Sequence, residues 1–358
     1  KLMTGSSENP INGSIVVLDP QSGEILAMVS KPSFDPNLFS AGISRENWKK
    51  LIKDPMHPLQ NKAIDGQYPP GSTYKIVTAY AGLNENIITP DTIINCPGHF
   101  TLGKGRYRCW KKTGHGPMTL HEALVQSCDV FFYTLGNRLG IDKLAIYAKN
   151  LGLGQLTKIQ LKGEKTGLIP STEWKLLARG KPWLLGETIS GSIGQGYNLV
   201  TPLQQANMIA GIANGGTLYK PFLIKKIENS DSNVVKEFFP SVLKKINLSP
   251  KNLEIIRKSL LGVVHDPNGT GWRARLKNTK VSGKTGTAQV VAMKKGEEEE
   301  EIETPYIFRD HAWFVAYAPF EKPKIAIAVI IEHGGHGGAA AAPIAKEIIK
   351  SFLDIQSK

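Results

Sequence analysis

Ser72 and Lys75 form a Ser-x-x-Lys pair. Residues three apart share one face of a helix, so the Lys75 amine can lie beside the Ser72 hydroxyl. A lysine partly desolvated there, its pKa lowered, takes the serine proton and creates a nucleophile for acyl transfer. Pro69 and Pro70 stand just ahead, and apolar residues recur at Ile76, Val77, Tyr80 and Leu83. The pattern predicts a helix beginning near Ser72, whose N-terminus favours negative charge on the attacking oxygen. The four-residue string is weak by itself. Ser241-Val242-Leu243-Lys244 repeats it without a proline-led start.

A second candidate is Ser127-Cys128-Asp129, between the helical pattern Leu120–Val125 and the run Val130–Tyr133. Ser33-Phe34-Asp35 and Ser7-Glu8-Asn9 match as strings but fall in loop or linker sequence. The third is Lys-Thr-Gly, found at Lys112, Lys165 and Lys284. Only Lys284-Thr285-Gly286 runs on into a strand, Thr287–Val291. A strand edge with a lysine, the hydroxyls of Thr285 and Thr287 and the bare Gly286 suits an extended peptide ending in a carboxylate. Gly286 would let the ligand backbone approach closely.

The elements that must position these groups can be read from periodicity. Ser14–Leu18 and Glu24–Val29 are β-rich runs joined by the turn sequence Asp19–Gly23. Val281–Ala292, Ala312–Ala318 and Ile325–Ile331 read as strands near the other end. Helical patterns occupy residues around 119–150, 201–213 and 250–264, and Ala339–Leu353 closes as an Ala-rich helix. Residues 90–118 read as a polar, Gly-rich loop. The expected fold is α/β of the mixed αβα kind: a mainly antiparallel central sheet made from both chain ends, flanked by helices, with a helical subdomain inserted. On this reading residues 1–12 are a linker and 13–358 one domain. Residues 13–66 and about 270–358 supply the sheet part, about 67–265 the mostly helical part.

Composition narrows the function classes. The 358 residues are 41% hydrophobic and 21% charged, enough to bury a real core. No run approaches the 18 apolar residues of a membrane span, and Lys1-Leu2-Met3 is not a secretory signal. The expectation is a soluble fragment separated from its anchor. The net charge of +13 is scattered and carries no basic run interleaved with aromatics, which argues against nucleic-acid binding. The acidic run Glu297–Glu301 reads as a solvated loop.

Order and context bring the three motifs together: a proline-led helix with Ser72 and Lys75, then Ser127, then Lys284 on a late strand. This trio is shared by penicillin-binding proteins and class A β-lactamases. Tyr68–Lys75, Ser127–Tyr133 and Ser282–Gln289 resemble the transpeptidase domain of class B penicillin-binding proteins. Arg106–Gly116, Gly194–Tyr197 and Arg309–Pro319 resemble the elongation-specific branch of that family, the penicillin-binding protein 2 type of rod-shaped Gram-negative bacteria. The resemblance runs from about Gly13 to Leu353 and implies a peptidoglycan D,D-transpeptidase at the periplasmic face of the inner membrane, acylated by β-lactams. It implies Ser72 as nucleophile, Lys75 as base, and Ser127 as a bridge between Lys75 and Lys284. It further implies an oxyanion hole from the Ser72 and Thr287 N–H groups, and a carboxylate pocket of Lys284, Thr285 and Thr287. The implied partners are peptidoglycan stem peptides and, in a full-length anchored protein, a SEDS-type glycan polymerase and the elongation complex. Asp129 departs from the commoner Asn: an ionised Asp accepts hydrogen bonds but cannot donate them. It is expected at the catalytic site, orienting Lys75 or another donor, with a purely structural role as the alternative.

Cys96, Cys109, His115 and Cys128 are clustered in sequence. Three thiolates and an imidazole make a complete tetrahedral structural zinc site, and some elongation-type relatives carry metal ligands at corresponding places. Zn2+ would pin loop 90–118 and fix the Ser127 segment; no cofactor is expected for the chemistry itself. The alternatives are a Cys96–Cys109 disulfide with Cys128 free, or inert thiols. His333 and His336, in His-Gly-Gly-His-Gly-Gly338, read as a strand-to-helix connection rather than a phosphate loop. Two other functions stay open: a serine β-lactamase, for which no deacylating base is evident, and a β-lactam-sensing receptor domain. The lifetime of a penicillin adduct separates the lactamase from the transpeptidase.

Overall fold

The computed structural model describes residues 11–247, 249–290 and 305–356. Its frame is a five-stranded antiparallel sheet in the order Ser282–Ala288, His311–Ala318, Ile325–Ile331, Gly13–Leu18, Ile25–Lys31. The first strand of the chain thus lies beside the last, with Val16 opposite Ala328. Asp19–Gly23 turns as its sequence predicts, the Gly23 N–H donating to the Asp19 carbonyl. The Val281–Ala292 run yields a strand only to Ala288, and residues 291–292 lie outside the described residues. So do Ser7–Asn9, the acidic run 297–301 and most of the predicted linker.

Alternation along the strands divides the core in two. Val16, Leu18, Val315, Tyr317, Ala328 and Ile330 face the helical side. Ile15, Val17, Phe314, Ala316, Ile327 and Val329 face the terminal helix, Gly337–Gln356, and meet its Ala341, Ala345 and Ile349. Both faces are covered, so these strands read as nearly unbroken apolar runs. Each large side chain so buried stabilises the fold by roughly 1.5–3 kcal/mol. The terminal helix begins tight against the strand that carries Lys284. A Cβ on Gly337 would lie 2.0 Å from the Trp313 carbonyl oxygen and 2.4 Å from that of Gly286.

The pattern over 119–150 resolves into three helices, Leu120–Val125, Asp129–Leu139 and Ile141–Asn150. Thr119 and Glu122 form a capping box at the first, and Gly140, at φ +78°, separates the last two. Pro202–Ala213 and Pro250–His265 follow as expected. Two expectations change. Ser72 lies in a 3-10 turn, Gly71–Tyr74, and the α-helix proper starts at Lys75 and runs to Asn84. Residues 90–118 are not simply loop: Ile94–Cys96 pairs with Gly116–Met118, and His99–Leu102 with Gly105–Arg108. Ladders of three or four residues are too short, and too rich in Gly, to show a period. No helix among the described residues is long and apolar enough to cross a membrane.

Candidate active site

The turn bearing Ser72 is wedged between the sheet edge and a second loop. Gly71 sits at φ +53°, and a Cβ there would lie 2.4 Å from the Thr287 carbonyl oxygen. On the other side the Gly71 N–H donates to Gly194 O at 3.0 Å. Trp313 Nε1 donates to Pro69 O, and Thr73 Oγ1 to Pro70 O, so both prolines are tied down. Ser72 itself is half-buried.

Lys75, the first residue of the helix, is completely buried. Its ammonium donates to Ser127 O (2.8 Å), Ser127 Oγ (3.1 Å) and Asp129 Oδ1 (2.7 Å). These three acceptors match its three protons. Lys75 therefore engages the middle motif rather than the Ser72 hydroxyl in this state. Asp129 accepts again at Oδ2, from the Trp110 backbone N–H at 2.9 Å. It stands in direct contact with Lys75.

Ser127 holds a backbone that side chains rarely adopt, φ +54°. Such a conformation costs on the order of 1–3 kcal/mol and persists only when its surroundings impose it. Here the helix end before it supplies Leu124 O for its N–H and Ala123 O for the next. Its own carbonyl accepts from Lys75 and from Trp110 Nε1. The result aims Ser127 Oγ between two lysines, with Lys284 Nζ at 3.0 Å and Lys75 Nζ at 3.1 Å.

Lys284 projects from the edge strand and is completely buried. Burial, and the positive charge of Lys75, push its pKa well below the ordinary lysine range, against the pull of Asp129. Alternation puts Thr285 on the opposite face, where its hydroxyl meets that of Thr270 at 2.8 Å. In an antiparallel ladder a residue's N–H and C=O point to the same side. The Thr287 carbonyl accepts from Gln195 Nε2 (3.1 Å), off the sheet edge. Its N–H therefore faces the open edge too, toward the Ser72 turn. Gly286 serves the protein's own packing: a Cβ there would meet Trp313 Cβ at 2.9 Å, Thr73 Cγ2 at 3.0 Å and Pro70 O at 3.1 Å.

The four sulfur and nitrogen ligands also converge. Donor atoms of Cys96, Cys109, His115 and Cys128 all lie within 4.8 Å of one another. His115 Nδ1 stands 3.6 Å from Cys96 Sγ and 3.5 Å from Cys109 Sγ, and the three cysteines are buried and unbridged. A hydrogen bond from the Cys128 thiol, aided by His115, holds the Cys109 thiol far below its ordinary range. The cluster is coupled to the site, since the Asp129 N–H donates to Cys109 Sγ.

The family model for the penicillin-binding protein transpeptidase domain matches residues 13–350. The chain belongs to this family. Peptidoglycan D,D-transpeptidase MrdA of Haemophilus influenzae is 41% identical over 349 residues, 96% of this chain and 53% of that protein. MrdA of Escherichia coli K12 is 37% identical over 345 residues, 95% and 54% respectively. The chain thus spans about half the length of the curated relatives it matches. The structure of Pseudomonas aeruginosa PBP2 in complex with WCK 5153 superimposes with a TM-score of 0.85 at 38% identity, over 96% of this chain and 74% of that one. The complex of PBP2 and MreC from Helicobacter pylori gives 0.85 at 33%, over 97% and 61%. The mixed α/β fold with its antiparallel sheet is that of these structures.

In this penicillin-binding transpeptidase domain the motif copies separate cleanly. Ser241 and Lys244 lie at an exposed strand, Val242–Lys245, and Lys112 and Lys165 in connections. His333 lies in the turn before the terminal helix, as read. Sequence reasoning missed Trp110, Gln195 and Thr270 as partners of Asp129, Thr287 and Thr285. Trp110 and Gln195 fall within segments that carry the family resemblance; nothing marked Thr270.

Proposed function

We propose that this domain is a serine D,D-transpeptidase that cross-links peptidoglycan through a Ser72 acyl-enzyme and is acylated at the same residue by β-lactams. The observation that carries this reading is the Ser127 hydroxyl, held between two fully buried lysines beside the turn that bears Ser72. Lys75 is tied up as an ammonium while the site is empty of substrate charge. Arrival of a substrate carboxylate next to Lys284 favours an ammonium there instead. A proton then passes from Lys75 to the Ser127 oxygen as the Ser127 proton passes to Lys284. Neutral Lys75 takes the Ser72 proton as Ser72 Oγ attacks the penultimate D-Ala carbonyl. The N–H groups of Ser72 and Thr287 receive the oxyanion, a contribution commonly worth several kcal/mol of barrier. The proton returns through Ser127 to the departing D-Ala nitrogen. The amine of a second stem peptide then attacks the acyl-enzyme, restoring Ser72 and forming the cross-link.

A structural Zn2+ held by Cys96, Cys109, His115 and Cys128 completes the reading, because tetrahedral Zn–S bonds of about 2.3 Å need only a small contraction of the present cluster. Such an ion supplies rigidity alone. The protein side of the effect runs through Cys109 Sγ to the Asp129 N–H and through Trp110 to Ser127. Membership in the penicillin-binding transpeptidase family, whose peptidoglycan substrate lies outside the inner membrane, supports a periplasmic setting at that membrane. The PBP2–MreC complex, and the solved peptidoglycan synthase complex similar to this chain, support an elongation-complex role with a SEDS-type polymerase.

Reaction with benzylpenicillin, digestion and mass mapping test the assignment. The expected adduct sits on Ser72 and lasts for hours, and a D-Ala-D-Ala stem peptide releases D-Ala. An adduct on another residue, or one hydrolysed within seconds, overturns it.

A further inference from the structure

Beyond the reaction centre, the 3-10 turn Trp272–Ala274 and the terminal helix flank an open depression of about 540 Å³ that no step above uses. Its wall carries Trp272, Arg273, Arg275, Lys277, Lys346 and Glu347. Four cations face one carboxylate. Arg275 is already committed, donating to Val264 O and His265 O at the end of a helix. The side chains of Arg273, Lys277 and Lys346 make no ion pair or hydrogen bond among the described residues. Unpaired like charges around one hollow repel each other unless an anion joins them. Trp272 is 57% exposed, with the Arg273 guanidinium 5.2 Å from its ring centre. An indole so held suits the apolar face of a sugar ring.

The segments that border the depression also brace the strand that carries Lys284. Thr270, two residues before Trp272, bonds its hydroxyl to Thr285. A Cβ on Gly338 would lie 2.5 Å from Thr270 O, so the helix start abuts both. From Gly338 the helix reaches Pro343, on the depression's wall, in about 8 Å at 1.5 Å per residue.

We propose that this hollow is an accessory subsite for the wall polymer, binding a carboxylate-bearing muropeptide through Arg273, Lys277 and Lys346 with a sugar ring on Trp272. The proposal rests on the transpeptidase reading and names where a strand lies outside the catalytic groove. A concave site of this volume fits a disaccharide with part of its peptide.

The test is calorimetric titration of the penicillin-acylated chain, whose Ser72 site is blocked, with the disaccharide tetrapeptide released by a muramidase. Saturable binding is expected. Arg273→Gln combined with Lys277→Gln should weaken it about tenfold or more, as loss of charge-assisted bonds does. Uncharged chitotetraose should bind at least as weakly, and the double variant should acylate at the parental rate, showing an intact fold and site. No binding by the acylated chain overturns the subsite. So does unchanged binding by the double variant, or loss only of its binding to phosphatidylglycerol vesicles. Failure of penicillin to acylate Ser72 is read separately and strikes the transpeptidase assignment itself.

Discussion

Replacing Asp129 by Asn keeps the shape of the side chain and removes one acceptor. Asp129 takes two bonds, from Lys75 Nζ at 2.7 Å and from the Trp110 N–H at 2.9 Å. An amide has a single acceptor oxygen. Whichever way it turns, its NH2 group confronts either the Lys75 ammonium or the Trp110 N–H. One buried donor is left unsatisfied, at a cost of about 1–3 kcal/mol. Asp129→Ala removes both acceptors and leaves the buried Lys75 charge on Ser127 alone. Breaking a buried pair in this way costs about 3–5 kcal/mol. The expected stability order is parent, Asn, Ala, read from urea unfolding. Lys75 must also stay aligned with Ser127 for proton transfer, so acylation slows. At 1.4 kcal/mol per factor of ten, loss of one charge-assisted bond of about 1.5–3 kcal/mol predicts a drop of roughly ten- to a hundredfold. Stopped-flow mixing with a fluorescent penicillin measures it. An Asn variant that matches the parent in both urea midpoint and acylation rate would show that Asp129 does not hold Lys75.

Lys284 gives a pH signature. Burial and Lys75 hold its folded pKa well below 10.5, so between the two values the unfolded chain binds more protons and stability rises with pH. The stability of the parent relative to Lys284→Met should rise as the pH climbs toward about 10, and a flat or falling difference refutes the assignment. For the metal, elemental analysis should find one zinc per chain. Its removal by prolonged dialysis against a strong chelator should lower the melting midpoint and slow acylation; protein purified metal-free with an unchanged melt sinks the idea. Gly71→Ala combines a φ of +53° with a Cβ 2.4 Å from Thr287 O, a strain of about 1–3 kcal/mol before any clash. It should lose most of its acylation rate, and parental kinetics would exclude the tight seat of the Ser72 turn on the edge strand.

Much of this architecture was legible because it rests on periodicity. Residues 15–18, 312–318 and 325–331 are apolar on both faces, and the structure buries both. The Cys/His cluster was legible from chemistry, since four good ligands were close in sequence. Lys75 was harder. Its spacing from Ser72 promised a direct partnership, whereas its bonds run to Ser127 and Asp129, more than 50 residues away. Local sequence cannot express that, because the contact depends on the strained backbone at Ser127. Gly286 was legible as a close approach but not as to which group approaches. Thr270 and Gln195 act through single bonds across loops, which leave no pattern.

The strand Gly13–Leu18 takes its place between Ile25–Lys31 and Ile325–Ile331. Its second neighbour is thus made some 300 residues later. Contacts of such sequence separation carry a high contact order and slow folding. Every motif residue has left the ribosome before the Ile325–Ile331 strand has, yet the Lys284 strand and its partner His311–Ala318 have no link to the Gly13–Leu18 hairpin until then. An unfinished chain therefore carries the full set of motif residues without the assembled site, and on the proposed function labelling by penicillin would report completed topology rather than synthesis.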